Sequence, residues 1–264
     1  MRVHVVSDVH CNSEALARAG EGADALLCLG DLLLFLDYHD HSRGIFPDLF
    51  GRENATEFVR LRNAKRYQDA HAFSAGLWAG LGIGPEDRQA RRAVLEDAAR
   101  VQYAELFDAF AASPVPVYAT YGNVDIPALW REFPRQGVQV LDGQAVEIGG
   151  RTFGFVGGGL PTPGRTPYEV DEEVYAAKVA ALDGVDVLCC HIPPAVPELT
   201  YDTVARRFER GSEAVLEAIH RARPRTVLFG HIHQPLTARM RIGRTECVNV
   251  GYFRGSGRPW AMEW

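Results

Sequence analysis

The chain has no run of the roughly 18 apolar residues that a bilayer-crossing helix needs, and Met1-Arg2-Val3-His4-Val5 lacks the apolar stretch of a signal peptide. A cytoplasmic protein with no membrane partner is therefore expected. Cysteine is scarce: Cys11, Cys28, Cys189, Cys190 and Cys247 are odd in number, form no C-x-x-C pair and lie mostly in strand-like segments. They read as reduced core thiols rather than a disulfide framework. Basic charge is also in deficit, with 28 Lys and Arg against 34 Asp and Glu and a net charge of −6, which argues against a protein that coats nucleic acid. Internal repeats, low-complexity tracts and linkers are absent as well.

What is present is enough apolar material, 47% of 264 residues, for one large α/β core, since single domains of this class run to about 250 residues. Strand-like runs fall at 2–7, 25–29, 115–120, 138–141, 144–149, 152–157, 185–190, 225–229, 236–241, 245–250 and 259–263. Helical patterns fall at about 13–20, 171–182 and 212–222, and Arg241-Ile242-Gly243-Arg244 reads as a hairpin turn. Helical links with added hairpins predict two packed mixed sheets covered by helices. The expectation is a single domain over 1–264 with a mostly helical insertion at about 35–112, in which Leu95, Ala99, Tyr103, Leu106 and Phe110 recur at helix spacing. The insertion begins with Asp37-Tyr38-His39-Asp40-His41 and is the candidate lid or substrate-selecting wall.

Five short islands carry the chemistry: Asp8-Val9-His10, Gly30-Asp31, Gly122-Asn123-Val124-Asp125, His191 and Gly230-His231-Ile232-His233. Each follows an apolar run that reads as a buried strand, so the islands stand at strand ends, where they can converge. Alone, His191 would read as a satisfied core histidine. In the company of Asp8, Asp31 and His231 it reads as a ligand, because buried carboxylates are costly unless paired or metal-bound. Carboxylate, imidazole and amide donors hold Lewis-acidic divalent ions, and seven of them suit two ions rather than one. Two such ions about 3.5–4 Å apart activate a bridging hydroxide near neutral pH and clamp the oxygens of an in-line phosphoryl displacement.

In order and over almost the full length, the islands match D-x-H, G-D, G-N-x-[DE], H and G-H-x-H, and here the chain resembles the calcineurin-like metallophosphoesterase superfamily. The resemblance implies a four-layer αββα sandwich with one metal held by Asp8, His10 and His233, the other by Asn123, His191 and His231, and Asp31 bridging them. It implies two divalent ions, with Mn expected and Fe, Zn, Co or Ni accommodated by the same donors. His10, Asn123 and Asp125 form the candidate catalytic set, with Asp125 expected to orient His10 or a ligand imidazole.

One position departs from many phosphatases of the superfamily. The residue after the motif asparagine is Val124 rather than histidine, and valine cannot protonate a leaving group. That form resembles a bacterial and archaeal branch inclined to phosphodiesters, so small cyclic or linear nucleotide-type diesters are the expected substrates. Phosphomonoesters and nucleic acid are the alternatives, the latter prompted by 11 Arg against 6 acidic residues from position 200 onward. The leaving-group acid would then be His10, a metal-activated water, or His39 or His41. Arg165, in the Gly- and Pro-rich loop Gly157–Arg165, is a candidate phosphate contact.

A non-enzymatic scaffold of the same fold would show ligand loss, whereas all seven positions hold ligating residue types. His4 and His220 read as structural, Asn12 as a helix N-cap, and Trp260 and Trp264 beside Tyr252 and Phe253 as core rather than an oligomer interface.

Overall fold

In the computed structural model, which describes residues 1–162 and 166–264, the parallel strands β1 (Arg2–Val6) and β2 (Ala25–Cys28) alternate side chains between two apolar environments. Val3, Val5, Ala25 and Leu27 point toward a second sheet, whereas the His4 ring faces the other way and donates from Nδ1 to the Ala19 carbonyl at 2.7 Å. This is the period-2 signature of strands buried on both faces. β3 (Val117–Ala119) and β4 (Val138–Val140) extend the sheet in parallel. Pro114 and Pro116 supply no N–H, so β3 is shorter than the 115–120 run suggests.

The second sheet contains β5 (Gln144–Ile148), β6 (Arg151–Val156) and β7 (Val187–Cys190). A small separate hairpin, β8 (Tyr201–Asp202) with β9 (Arg207–Phe208), precedes β10 (Thr226–Phe229), β11 (Arg239–Ile242) and β12 (Thr245–Asn249). The last strand, β13 (Trp260–Glu263), returns to the first sheet. The sheet orders are β13-β1-β2-β3-β4 and β11-β12-β10-β7-β6-β5. Edge strands β13, β11 and β5 pair antiparallel, and the interior pairs are parallel.

Between the sheets lies a core of Val3, Val5, Leu27, Phe153, Phe155, Val187, Cys189 and Leu228. The out-of-phase residues Leu188, Cys190, Val227 and Phe229 pack outward with Tyr175 and Val179 of helix Glu172–Ala180 and with Val215 and Ile219 of helix Glu213–Arg221. The fold is thus a mixed α/β sandwich of two large mixed sheets flanked by helices. Asn12 caps helix Ser13–Arg18 by accepting from the Ala15 amide at 3.3 Å, as its sequence context predicts. The predicted hairpin turn joins β11 to β12 through Ile242 and Thr245, although β11 starts three residues later than expected. Trp260 and Trp264 are partly buried and pack against the inter-sheet core, Trp264 on Phe153 with its indole donating to the Gly149 carbonyl.

The chain divides into two compact units, Met1–Leu32 with Glu105–Trp264, and Leu33–Ala104. The second unit is helical, with helices Ile45–Phe50, Arg52–Asn63 and Tyr67–Gly80 and the first part of Arg88–Ala111. Its aromatic residues Phe46, Phe50, Phe58 and Trp78 pack edge-on or tilted against one another. No helix among the described residues is long and apolar enough to cross a membrane.

Phe155 is fully buried between the sheets. Phe155→Ala should lower unfolding free energy by about 3–5 kcal/mol in denaturant titrations followed by circular dichroism.

Candidate metal centre

All five islands lie at the carboxyl ends of the interior parallel strands: Asp8 and His10 after β1, Asp31 after β2, Asn123 after β3, His191 after β7, and His231 and His233 after β10. Open α/β sheets place ligand sites at this end. Strand ladders continue into the loops, with the Asp8 amide donating to the Gly30 carbonyl at 3.0 Å and the His10 amide to the Asp31 carbonyl at 2.9 Å. Bonds that tie the sheets together here include His191 Nδ1 donating to the Leu29 carbonyl at 2.9 Å and the His231 amide to Asp8 Oδ2 at 2.9 Å.

The loops are backbone-strained. Among the described residues, five of the eight non-glycine residues with positive φ are Asp8, His10, Cys11, Asp31 and His231. Left-handed backbone costs an L-residue about 1–2 kcal/mol, so the strain is concentrated at this site. Close approach demands glycine as well. A Cβ at Gly122 would overlap the Asp31 carboxylate, and one at Gly230 would overlap Ser7 and the Asp8 carboxylate.

The side chains form two adjoining clusters. Asp8, His10 and His233 bring one ligand atom each within 4.8 Å of one another, and so do Asp31, His191 and His231. Asp31 stands between them, its Oδ2 3.9 Å from His10 Nε2 and its Oδ1 3.4 Å from His191 Nε2. Asn123 Oδ1 lies 2.9 Å from His191 Nε2. Because Nδ1 of His191 donates to a carbonyl, the neutral ring presents a lone pair at Nε2, directed at two oxygens that are also acceptors. Across the site, His10 Nε2 and His233 Nε2 face each other at 3.3 Å, and His233 Nε2 also lies 3.3 Å from the buried Asp8 Oδ1. Buried lone pairs converging on one another repel, and a cation relieves that repulsion. The donor set therefore fits two divalent ions.

Charge coupling follows the same geometry. Burial raises the Asp8 and Asp31 carboxyls, but the surrounding imidazoles, His233 for Asp8 and His191 for Asp31, hold both below the usual carboxylate range. Burial lowers His191, and the Asp31 carboxylate overrides it, leaving His191 raised to about 9. His231 is lowered to about 4 by burial and by the neighbouring His191. Without an ion, a proton on His191 satisfies the converging acceptors.

Asp125 is buried and holds loops. Its Oδ2 accepts from the Asp31 and Gly122 amides at 2.9 and 2.8 Å, and its Oδ1 from the Leu32 amide at 3.0 Å. These bonds engage the backbone of two ligand loops. Burial and the Asp31 charge raise its carboxyl to about 7. Val124 contributes its amide, which donates to Asp31 Oδ1 at 3.0 Å.

The other candidates are not among these side chains. His39 and His41 belong to the Leu33–Ala104 unit, where His39 is exposed and His41 Nδ1 lies 3.0 Å from Thr56 Oγ1. Arg165 lies outside the described residues. Three residues at the site carry no ligand-like signal in the sequence. Buried Asn249 donates from Nδ2 to the Gly230 and Ile232 carbonyls at 3.3 and 2.9 Å, Tyr252 stacks on His233, and Arg254 donates to the His10 carbonyl. Val248-Asn249-Val250-Gly251 repeats the islands' pattern of an apolar strand followed by a polar residue and glycine, and that was the available clue.

No family model matches the chain, and no curated protein matches its sequence. Among solved structures, one crystal structure is similar at 15% identity with a TM-score of 0.60, covering 99% of this chain and 98% of that one. The protein TT1561 of Thermus thermophilus is similar at 14% identity with a TM-score of 0.51, covering 99% and 98%. At these identities the likeness concerns the fold alone.

Because an ion needs the His191 lone pair that a proton occupies below about pH 9, metal binding should release protons. Apparent Mn²⁺ affinity should fall as pH drops from 9 to 7, by about tenfold per pH unit for each proton displaced. Calorimetry in buffers of different ionisation enthalpy reads the released protons directly.

Proposed function

We propose that this chain is a phosphoester hydrolase dependent on two divalent metals, acting on small phosphodiesters through a water activated between them. The observation that carries the reading is Asp31, whose two oxygens face different donor clusters at the strand ends. The order of motifs, which resembles calcineurin-like metallophosphoesterases, supports it independently.

In this reading Asp8, His10 and His233 hold one ion, Asn123, His191 and His231 the other, and Asp31 both. Such a pair of divalent ions, Mn²⁺ the expected one, acts as a Lewis acid that acidifies water to near neutral pH and stabilises charge on a phosphoryl group in flight. The chain supplies two carboxylates among seven donors, so the loaded centre keeps positive charge for an anionic substrate. The Leu29 carbonyl fixes the His191 tautomer, and the Asp8 carboxylate anchors the His231 amide, so the donors are oriented before substrate arrives. Val124 brings no proton donor to the position beside Asn123. A diester, whose phosphoryl group carries one negative charge rather than two, asks less of a phosphate-contacting imidazolium and suits that absence better than a monoester.

The arginine surplus beyond residue 200 supports a nuclease less well than its count suggests. Five of those arginines are ion-paired: Arg207 with Glu209, Arg210 with Glu172, Arg221 with Asp183, Arg225 with Asp186 and Arg239 with Glu246.

With Mn²⁺, the protein should hydrolyse bis-p-nitrophenyl phosphate faster than p-nitrophenyl phosphate; the opposite ranking would overturn the diester assignment. Asp31→Ala and Asn123→Ala should each bind less metal, with losses beyond the roughly 10–100-fold that follows removal of a supporting partner. Unchanged metal content in both variants would contradict the ligand assignment.

A further inference from the structure

The two halves of the centre are held in different ways. His191 is fully buried, and its second ring nitrogen is locked onto the Leu29 carbonyl. His233 is the open ligand: its side chain is 38% exposed. Its Nε2 faces Asp8 Oδ1 at 3.3 Å and His10 Nε2 at 3.3 Å, and among the described residues no hydrogen bond orients its other nitrogen. Metal-binding histidines are ordinarily oriented by a partner on that second nitrogen.

For His233 that place is taken by an aromatic face. The Tyr252 ring lies parallel to the imidazole, with centroids 4.1 Å apart and planes 18° from each other, and it flanks His10 at 6.0 Å. The following residues reach the loop that carries the other two ligands of this half. The Phe253 amide donates to the Ser7 carbonyl at 3.1 Å, the Arg254 amide to the Asp8 carbonyl at 3.0 Å, and the Arg254 guanidinium to the His10 carbonyl. Asn12 Nδ2 donates back to the Arg254 carbonyl at 3.2 Å. Phe253, 1% exposed, anchors the turn in the core. Asp8 and His10, whose left-handed backbone is strained, are thus restrained from outside their own loop.

We propose that Tyr252 and Arg254 are positioning residues that assemble the Asp8–His10–His233 half of the centre. Tyr252 does so by stacking on the His233 ring, and Arg254 by fixing the backbone of His10. The inference rests on the two-metal reading above. It goes beyond that reading by making the halves unequal: one is set by buried hydrogen bonds, the other by a segment more than 240 residues away in sequence from the loop it restrains. The chemistry this requires of Tyr252 is its face rather than its hydroxyl. Phenylalanine should therefore replace it and alanine should not.

The test is calorimetric titration of Mn²⁺ into metal-free full-length protein, with thermal melting in chelator as a fold control. Wild type should show two binding steps. Tyr252→Ala and Arg254→Met should each weaken the same step by about 10–100-fold, leaving the other step and the metal-free melting temperature unchanged. Tyr252→Phe should bind like wild type to within about twofold, since the stacking face is retained. Two unaltered steps in both variants, or equal weakening of both steps together with a lowered melting temperature, would overturn the inference while leaving the two-metal reading intact. A wild-type protein that takes up fewer than two ions would instead overturn the two-metal reading, and the inference with it.

Discussion

The molecule is organised around a repulsion it cannot relieve with its own atoms. At the carboxyl ends of β1, β2, β3, β7 and β10, two carboxylates, an amide oxygen and four imidazoles are brought together, with His191 Nε2 against Asn123 Oδ1 and Asp31 Oδ1, and His233 Nε2 against Asp8 Oδ1. A protein interior does not keep such an arrangement for stability, because buried polar groups without partners are costly. Positive charge resolves it: a proton on His191, which the Asp31 carboxylate favours, or, in the proposed reading, a divalent ion. The raised His191 and depressed Asp8 and Asp31 are the electrostatic trace of that constraint.

The rest of the fold holds this arrangement in place. The inter-sheet core fixes the strands, and the loops beyond them adopt left-handed backbone at Asp8, His10, Asp31 and His231 that only surrounding bonds maintain. Asp125 accepts two amides from the Asp31 loop and one from its own, Asn249 donates to two carbonyls of the His231 loop, and the turn at Phe253–Arg254 donates to the Asp8–His10 loop. Each of these three loops is thus restrained by a residue from another segment of the chain. Strain on this scale is tolerated where the surroundings over-determine the conformation, and it commonly marks function.

How much of this was legible in the sequence depended on whether a side chain acts through its own chemistry or through the backbone. The ligand islands were readable because apolar runs of strand length end in metal-ligating residue types, and the structure brings those residues together. The two-sheet architecture followed from the same runs. Tyr252 and Arg254 were not readable, since their work is done on a ring face and on a carbonyl, which no residue-type pattern encodes, and Asn249 left only the clue of a polar residue that ends an apolar strand. The β8–β9 hairpin escaped notice because its strands are two residues long. It also explains the late start of β11: the Leu236 amide is spent on the Tyr201 carbonyl at 2.9 Å, which keeps Leu236 out of the main sheet.

The central claim is that Asp31 lies between two metal ions. Anomalous diffraction from Mn²⁺-loaded crystals tests it most directly. The account predicts two peaks about 3.5–4 Å apart, one beside each Asp31 carboxylate oxygen, with Asp8, His10 and His233 around the first and Asn123, His191 and His231 around the second. A single peak, or peaks away from Asp31, would contradict it.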